Sequence, residues 1–196
     1  MKNTLLPLLI FCATYQSNAQ TSSKQDYMVV PIISQQSFYL KGGSNATGAN
    51  GSRQVLKINL PANTVEWYYT VITRSHRGQF SNSDLTGQLV KLVDPKSGIA
   101  PKASVNVPDG TGVCDVYLMT DPHEVIKYVN KKPAVSFLMN DSRQQYVSGV
   151  VQVKDFLDEP CFLVIRNPSS YLGVTVNIEV TAIVLSSTVG GSTVMQ

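Results

Sequence analysis

The sequence predicts an all-β fold: an antiparallel β-sandwich, jelly-roll-like, with two short helical inserts near residues 84–93 and 122–130. Three observations carry this. Apolar and polar residues alternate in one segment after another, the period of a strand with one buried face. Gly, Pro, Asn and Asp punctuate these segments at short intervals, as turns between strands require. Apolar residues take helical spacing only at the two inserts. Many strands with few helices pack as two sheets face to face, and a closed barrel is the runner-up architecture.

The elements follow in chain order. Tyr27 to Ile33 reads as a strand that Pro31 pushes toward a sheet edge or a bulge, and Ser37 to Leu40 as a second short piece. Lys41 to Ser52 is a glycine-rich loop; its lysine precedes the glycines and a strand follows, so it lacks the context of a phosphate-binding loop. Arg53 to Thr73 reads as a core hairpin broken at Pro61-Ala62-Asn63. In its second strand Trp67, Tyr69 and Val71 share one face with Val65, and Glu66, Tyr68 and Thr70 share the other. Across that hairpin, Arg53 could pair with Glu66.

Leu85, Leu89, Leu92 and Val93 then fall at helical spacing, with Ser83 as cap and Asp94-Pro95 as stop. Ala103 to Val107 is a short strand in a loop. Val113 to Met119 alternates, with Cys114, Val116 and Leu118 inward. Asp121-Pro122-His123-Glu124 opens the second helix: Asp as N-cap, Pro at the first position and Glu at the third. Ala134 to Leu138, Gln145 to Val153, Pro160 to Ile165 and Gly173 to Ser186 are further strands, the last being the clearest. One domain therefore covers residues 27–187, between a flexible lead-in at 20–26 and a polar tail at 188–196.

Residues 1–19 read as a signal peptide: Lys2, an apolar stretch from Leu5 to Tyr15, then Ser17-Asn18-Ala19 at a cleavage site that would leave Gln20 first. The expected location is the periplasm or the extracellular space. No other apolar run approaches the ~20 residues of a membrane span. With Cys12 in the signal, Cys114 and Cys161 remain. In an exported chain they suffice for one disulfide; unbridged, they would serve as small apolar core residues. Spacing alone leaves both open.

Chemistry is sparse. The net charge of +3 comes without a long basic run, and only 15% of residues are charged, against about a quarter ordinarily, so no nucleic-acid partner is expected. His76 and His123 are the only histidines, and no Gly-x-Ser-x-Gly turn accompanies them, so no catalytic residues are assigned. The spacing of His and Cys does not suit zinc. No cofactor is expected. Calcium is the one ion left open, because Asp155, Asp158 and Glu159 cluster, yet they match no calcium-loop pattern. Glu66 and Glu179 could act as a glycosidase pair if they faced one another across a cleft. Trp67 belongs to the core, which leaves Glu66, Tyr68, Tyr146 and Tyr171 as candidate ligand contacts.

Three segments resemble the bacterial pre-peptidase C-terminal type of β-sandwich. Glu66-Trp67-Tyr68-Tyr69-Thr70-Val71 is similar to its aromatic core strand, and Cys114-Asp115-Val116-Tyr117-Leu118 to its Asp-x-Tyr-Leu strand. Cys161-Phe162-Leu163-Val164-Ile165 with Gly173-Val174-Thr175-Val176-Asn177-Ile178 resembles its closing hairpin. Asn167-Pro168-Ser169-Ser170-Tyr171 lengthens the closing turn, and the two inserts interrupt the family's order. The resemblance implies an extracellular accessory or binding module, not an enzyme. The expected function is thus binding of a protein or carbohydrate partner at the cell envelope. The alternatives are a small carboxylate-dependent glycoside hydrolase and a structural or assembly partner of another exported protein.

Overall fold

A computed structural model describes residues 25–43, 51–75, 82–94, 104–132, 136–155, 157 and 159–187. The expected signal peptide, His76, Asp158 and the C-terminal residues 188–196 lie outside the described residues.

Eight strands form two antiparallel four-stranded sheets. In chain order they are β1 (Gln25–Leu40), β2 (Arg53–Ile58), β3 (Thr64–Arg74), β4 (Cys114–Met119), β5 (Leu138–Tyr146), β6 (Ser148–Val153), β7 (Cys161–Arg166) and β8 (Val174–Ser187). Helix α1 (Leu85–Leu92) lies between β3 and β4, and α2 (Pro122–Val129) between β4 and β5. One sheet has the order β1-β8-β3-β6 and the other β2-β7-β4-β5. Each strand of the first half thus pairs with its mirror in the second: first with eighth, second with seventh, third with sixth, fourth with fifth. That is one long double-layered hairpin rolled into a sandwich, the jelly-roll path. Two separate sheets, not a closed barrel, result.

Between the sheets sit Trp67, Tyr69 and Val71 of β3, Cys114, Val116 and Leu118 of β4, and Val174, Val176, Ile178, Val180 and Ala182 of β8. The strict period of β8 therefore resolves to Ala182 inside and Ile183 outside. A register shift between Thr64 and Glu66 breaks the period of β3 and turns Val65 to the outer side.

Both outer faces are covered as well. Helix α1 packs Leu85 and Leu89 on Tyr68 and Ile183 of the first sheet. Helix α2 packs Val125 and Tyr128 on Tyr117, Met119 and Val164 of the second. Strands covered on both sides must satisfy any polar group internally. Glu179, 3% exposed, does so by accepting hydrogen bonds from the Leu85 backbone N–H (2.8 Å) and from the Ser83 backbone (3.1 Å) and hydroxyl (2.5 Å). A sheet carboxylate thus supplies acceptors at the N-terminus of α1, where orphan N–H groups and the helix dipole favour negative charge. Asp84, not Ser83, is the N-cap and accepts from Gly87 N–H (3.2 Å). A Cβ on Gly87 would stand 2.3 Å from that carboxylate, which explains a glycine inside the helix. Helix α2 begins as the sequence predicts, with Asp121 accepting from His123 N–H and Pro122 at the start.

Several expectations are corrected. β1 is one strand carrying register shifts between Pro31 and Gln36, not two pieces. Residues 104–107 are not a strand: the Gln88 side chain bonds both the N–H (2.7 Å) and the carbonyl (2.8 Å) of Asn106, taking the place of a neighbouring strand. Of the strand expected over Ala134 to Leu138, Ala134 and Val135 lie outside the described residues, Ser136 and Phe137 are not strand and Leu138 opens β5; the one over Gln145 to Val153 is split at Val147 between β5 and β6. Arg53 to Thr73 is not a hairpin. β2 and β3 belong to different sheets, so the corner at 59–63 carries the chain across the sandwich, and Arg53 cannot meet Glu66 as a cross-strand pair.

No disulfide joins Cys114 and Cys161. Their strands are neighbours, but Asp115 faces Arg166 and Met119 faces Phe162, so the cysteines occupy opposite ends of the pair. Their Cα atoms lie about 20 Å apart along the strands, where a disulfide needs less than about 7 Å. Both thiols are buried core groups. Burial, aided by nearby carboxylates, raises Cys114 from 9.0 to about 12 and Cys161 from 9.0 to about 11. The unfolded chain releases these protons first, so their contribution to stability is complete below about pH 9 and lost as pH rises through the folded values. We expect the denaturant midpoint to fall on titration from pH 9 upward. A thiol reagent near neutral pH should label both cysteines only in denaturant; prompt labelling of the folded protein would contradict their burial.

Candidate functional site

Glu66, Tyr68, Tyr146 and Tyr171 do not converge. Glu66 and Tyr68 do meet, since the tyrosine hydroxyl donates to the Glu66 carboxylate (2.7 Å), but Tyr68 is fully buried beneath α1 and Glu66 is 7% exposed. Gln152 donates to both (2.7 and 2.8 Å), and Lys154 lies 3.7 Å from Glu66. Burial first, and then the carboxylate, pushes the Tyr68 hydroxyl well above its ordinary pKa. This is a closed polar cluster within the sheet layer. Tyr146 packs partly into the core, its ring close against Gly149 at a φ of +145°. Only Tyr171 is open to solvent, at 93%.

Glu66 and Glu179 share the outer face of the first sheet, but Glu66 faces Ile183 across the ladder while Glu179 faces Thr70. That offset is about 13 Å along the strand. One carboxylate holds Tyr68 and Gln152 and the other caps α1, so the pair that the hydrolase alternative needs is not assembled. Among the described residues no three His, Cys, Asp or Glu side chains gather as a metal site. Among those same residues no helix is long and apolar enough to cross a membrane.

A different set of residues converges where β2 begins and β7 ends. Arg53 and Arg166 face each other across the β2–β7 ladder, and Asp115 faces Arg166 from β4. Like charges placed opposite repel, and two local devices offset this. Asp115, 2% exposed, accepts from Arg166 Nε (2.9 Å) and Nη2, and its other oxygen accepts from the Gln145 backbone N–H (2.9 Å). The Arg53 guanidinium stacks 4.4 Å from the Tyr128 ring centre and donates to the Tyr128 carbonyl in the last turn of α2. A cation at a helix C-terminus is favoured by the dipole and adds a donor to one of the last carbonyls.

The chain leaves α2 through Lys131, whose φ is +57°. Lys131 N–H reaches the Tyr128 carbonyl (3.0 Å) and Lys132 N–H the Lys127 carbonyl (2.9 Å). These are the two bonds of a Schellman ending, which ordinarily places glycine in the left-handed position. Here the position carries a lysine.

Arg53, Lys131 and Arg166, with Gly43, Ser52 and residues 167–170, line a pocket of about 230 Å³. Among the described residues its lining holds three cations and no carboxylate. A second cleft of about 260 Å³ adjoins it and shares Asn167 and Ser169; Leu172, Val113 and Val174 supply its apolar surface. Between the two clefts in the chain stands Tyr171. The turn that carries it is tied down: Asn167 donates to the Leu40 (3.2 Å) and Leu172 (2.7 Å) carbonyls and accepts from Ser169 N–H (2.9 Å), and Ser169 Oγ accepts from Leu172 N–H (2.9 Å). At the other end of β2, a groove of about 430 Å³ between Lys57–Ala62 and Leu157, Glu159 and Pro160 has mixed charge and no comparable convergence among the described residues.

Of the residues the sequence offered as contacts Tyr171 alone is open to solvent, and the three cations were not among them. They lie far apart in the chain, and only strand register and the exit from α2 bring them together. An arginine opening one strand and an arginine closing another, which prove to be direct partners in one ladder, were the available signal. A scan against protein-family models finds no match, and a search of curated protein sequences finds none either.

Two substitutions test this construction. Asp115→Ala should cost about 2–3 kcal/mol in denaturant unfolding, because it strands the Gln145 N–H and the partly exposed Arg166. Lys131→Gly should instead stabilise the fold by about 0.5–1 kcal/mol by relieving the left-handed residue. A destabilised Lys131→Gly protein would mean that the lysine side chain is needed structurally.

Proposed function

We propose that this protein is an exported, non-catalytic β-sandwich that binds a glycan at the cell envelope through the end of the sandwich formed around residues 167–173. The observation that carries the reading is Tyr171, 93% exposed on a turn pinned by Asn167 and Ser169 and flanked by two clefts. An aromatic ring held out on an already ordered turn loses little freedom when it binds. A sugar packs its C–H face on such a ring while its hydroxyls reach polar groups beside it, here Asn167 and the serines. A protein partner would ordinarily cover at least about 1,200 Å² around an apolar centre. The exposed apolar residues named at this end, Tyr171, Leu172 and Val113, are few, and Asn167, Ser169 and Ser170 set polar groups beside them, which favours a small ligand.

Export is read from the basic, apolar and small-residue order of residues 1–19, and the resemblance to pre-peptidase C-terminal sandwiches supports an extracellular binding role. The commitment of Glu66 and Glu179 to internal hydrogen bonds supports a non-catalytic reading. A glycan array spanning bacterial envelope and host polysaccharides tests the proposal. We expect specific binding that Tyr171→Ala weakens by about tenfold. Stability should change by less than about 0.5 kcal/mol, as for an exposed side chain. A blank array, or binding indifferent to Tyr171→Ala, would overturn the reading; capture of an envelope protein instead would move it to a protein partner.

A further inference from the structure

We propose that the pocket among Arg53, Lys131 and Arg166 receives an oxyanion of the bound glycan, either a carboxylate or a sulfate ester. The inference rests on the glycan-binding reading and adds the charge of the ligand.

Four observations carry it. The first is charge: among the described residues three cationic side chains and no carboxylate line a space of about 230 Å³, and Asp115 lies behind Arg166 and faces Gln145 as well. The second is donor capacity. Asp115 engages Nε and Nη2 of Arg166, which leaves Nη1 outside that pair. Arg53 uses Nη1 on the Tyr128 carbonyl, while its buried Nε has no hydrogen-bond partner. A guanidinium has five N–H donors and no acceptor, so the unused groups call for an anion or an acceptor.

The third is preorganisation. Each arginine is fixed by the protein itself, one by a buried carboxylate and one by an aromatic face and a helix terminus, so an arriving anion need not order them. Ser169 Oγ already accepts from backbone N–H groups, which turns its proton outward as a further donor. The fourth is Lys131. A lysine holds a left-handed position that glycine would fill without strain, and its residue lines this pocket. Strained residues of this kind concentrate at binding sites. The space suits one charged group and the atoms next to it, with the rest of the sugar extending over Ser170 toward Tyr171.

The test is calorimetric titration of the exported protein with oligogalacturonate, with dextran sulfate oligomers, with the neutral counterparts of both (carboxyl-reduced oligogalacturonate and dextran), and with a glutamate-rich peptide. At least one acidic glycan should bind about tenfold or more tightly than its neutral counterpart, and added salt should erode that preference. Preference for the carboxylate or for the sulfate identifies the source of the anion. Lys131→Gly should weaken the acidic glycan several-fold while the melting temperature rises, a combination that a folding defect cannot produce. Tyr171→Ala should weaken acidic and neutral glycans alike. Equal affinity for acidic and neutral glycans, with Lys131→Gly silent, would overturn the anion site and leave glycan binding standing. Failure of every glycan would overturn both, and binding of the acidic peptide alone would assign the pocket to a protein partner.

Discussion

The Asp115 carboxylate holds the loop end of this sandwich together. It is buried in β4, and its two oxygens reach into both neighbouring strands: one takes the Arg166 guanidinium of β7, the other the backbone N–H of Gln145 in β5. Gln145 stands at a φ of +49° beside a register shift between β4 and β5, so the carboxylate fixes an irregularity that regular ladder bonds could not. The same contact sets the direction of Arg166, and with it one wall of the cationic pocket. A buried ion pair is weak evidence for stability because desolvation opposes the attraction. Here the pair also satisfies a backbone group and positions a second charge, which gives it a reason to be present.

The two helices follow a common plan. Each covers the outer face of one sheet, and each is tied at a terminus by a charge that comes from the sheet. Glu179 of β8 supplies acceptors for the first N–H groups of α1, and Arg53 of β2 supplies a donor for a carbonyl in the last turn of α2. The signs match the helix dipole in both cases. A strand acid that would otherwise suggest catalysis is therefore a capping group, and a strand base that would suggest a hairpin salt bridge is a helix clamp. These roles remove Glu179 from the chemistry and leave Arg53 at the edge of a pocket.

Legibility in the sequence varied with the range of the interaction. The α2 start, the α1 span, the alternation of β8 and the inward set of β4 were legible because each depends on residues a few positions apart. The β3 assignment was nearly right; a local register shift, invisible to a strict period of two, moved Val65 to the other side. The Ala103 to Val107 strand failed because Gln88 satisfies Asn106, a competitor that no local pattern reveals. Of the four candidate contacts only Tyr171 is open. Tyr68 alternates as an outer-face residue should, but the outer face lies under a helix.

By itself the sequence determined the class of fold, most element positions and the assignment of Trp67 to the core, because hydrophobic period and turn chemistry are local properties. Tertiary structure alone decided three matters. Strand register placed Cys114 and Cys161 at opposite ends of one ladder, which precludes their bridge. The exchange of sheets between β2 and β3 separated Arg53 from Glu66. Register again, with the exit from α2, brought Arg53, Lys131 and Arg166 to one pocket. Each of these depends on which residues face one another across more than forty intervening positions or across two sheets, and composition and period carry no information about that.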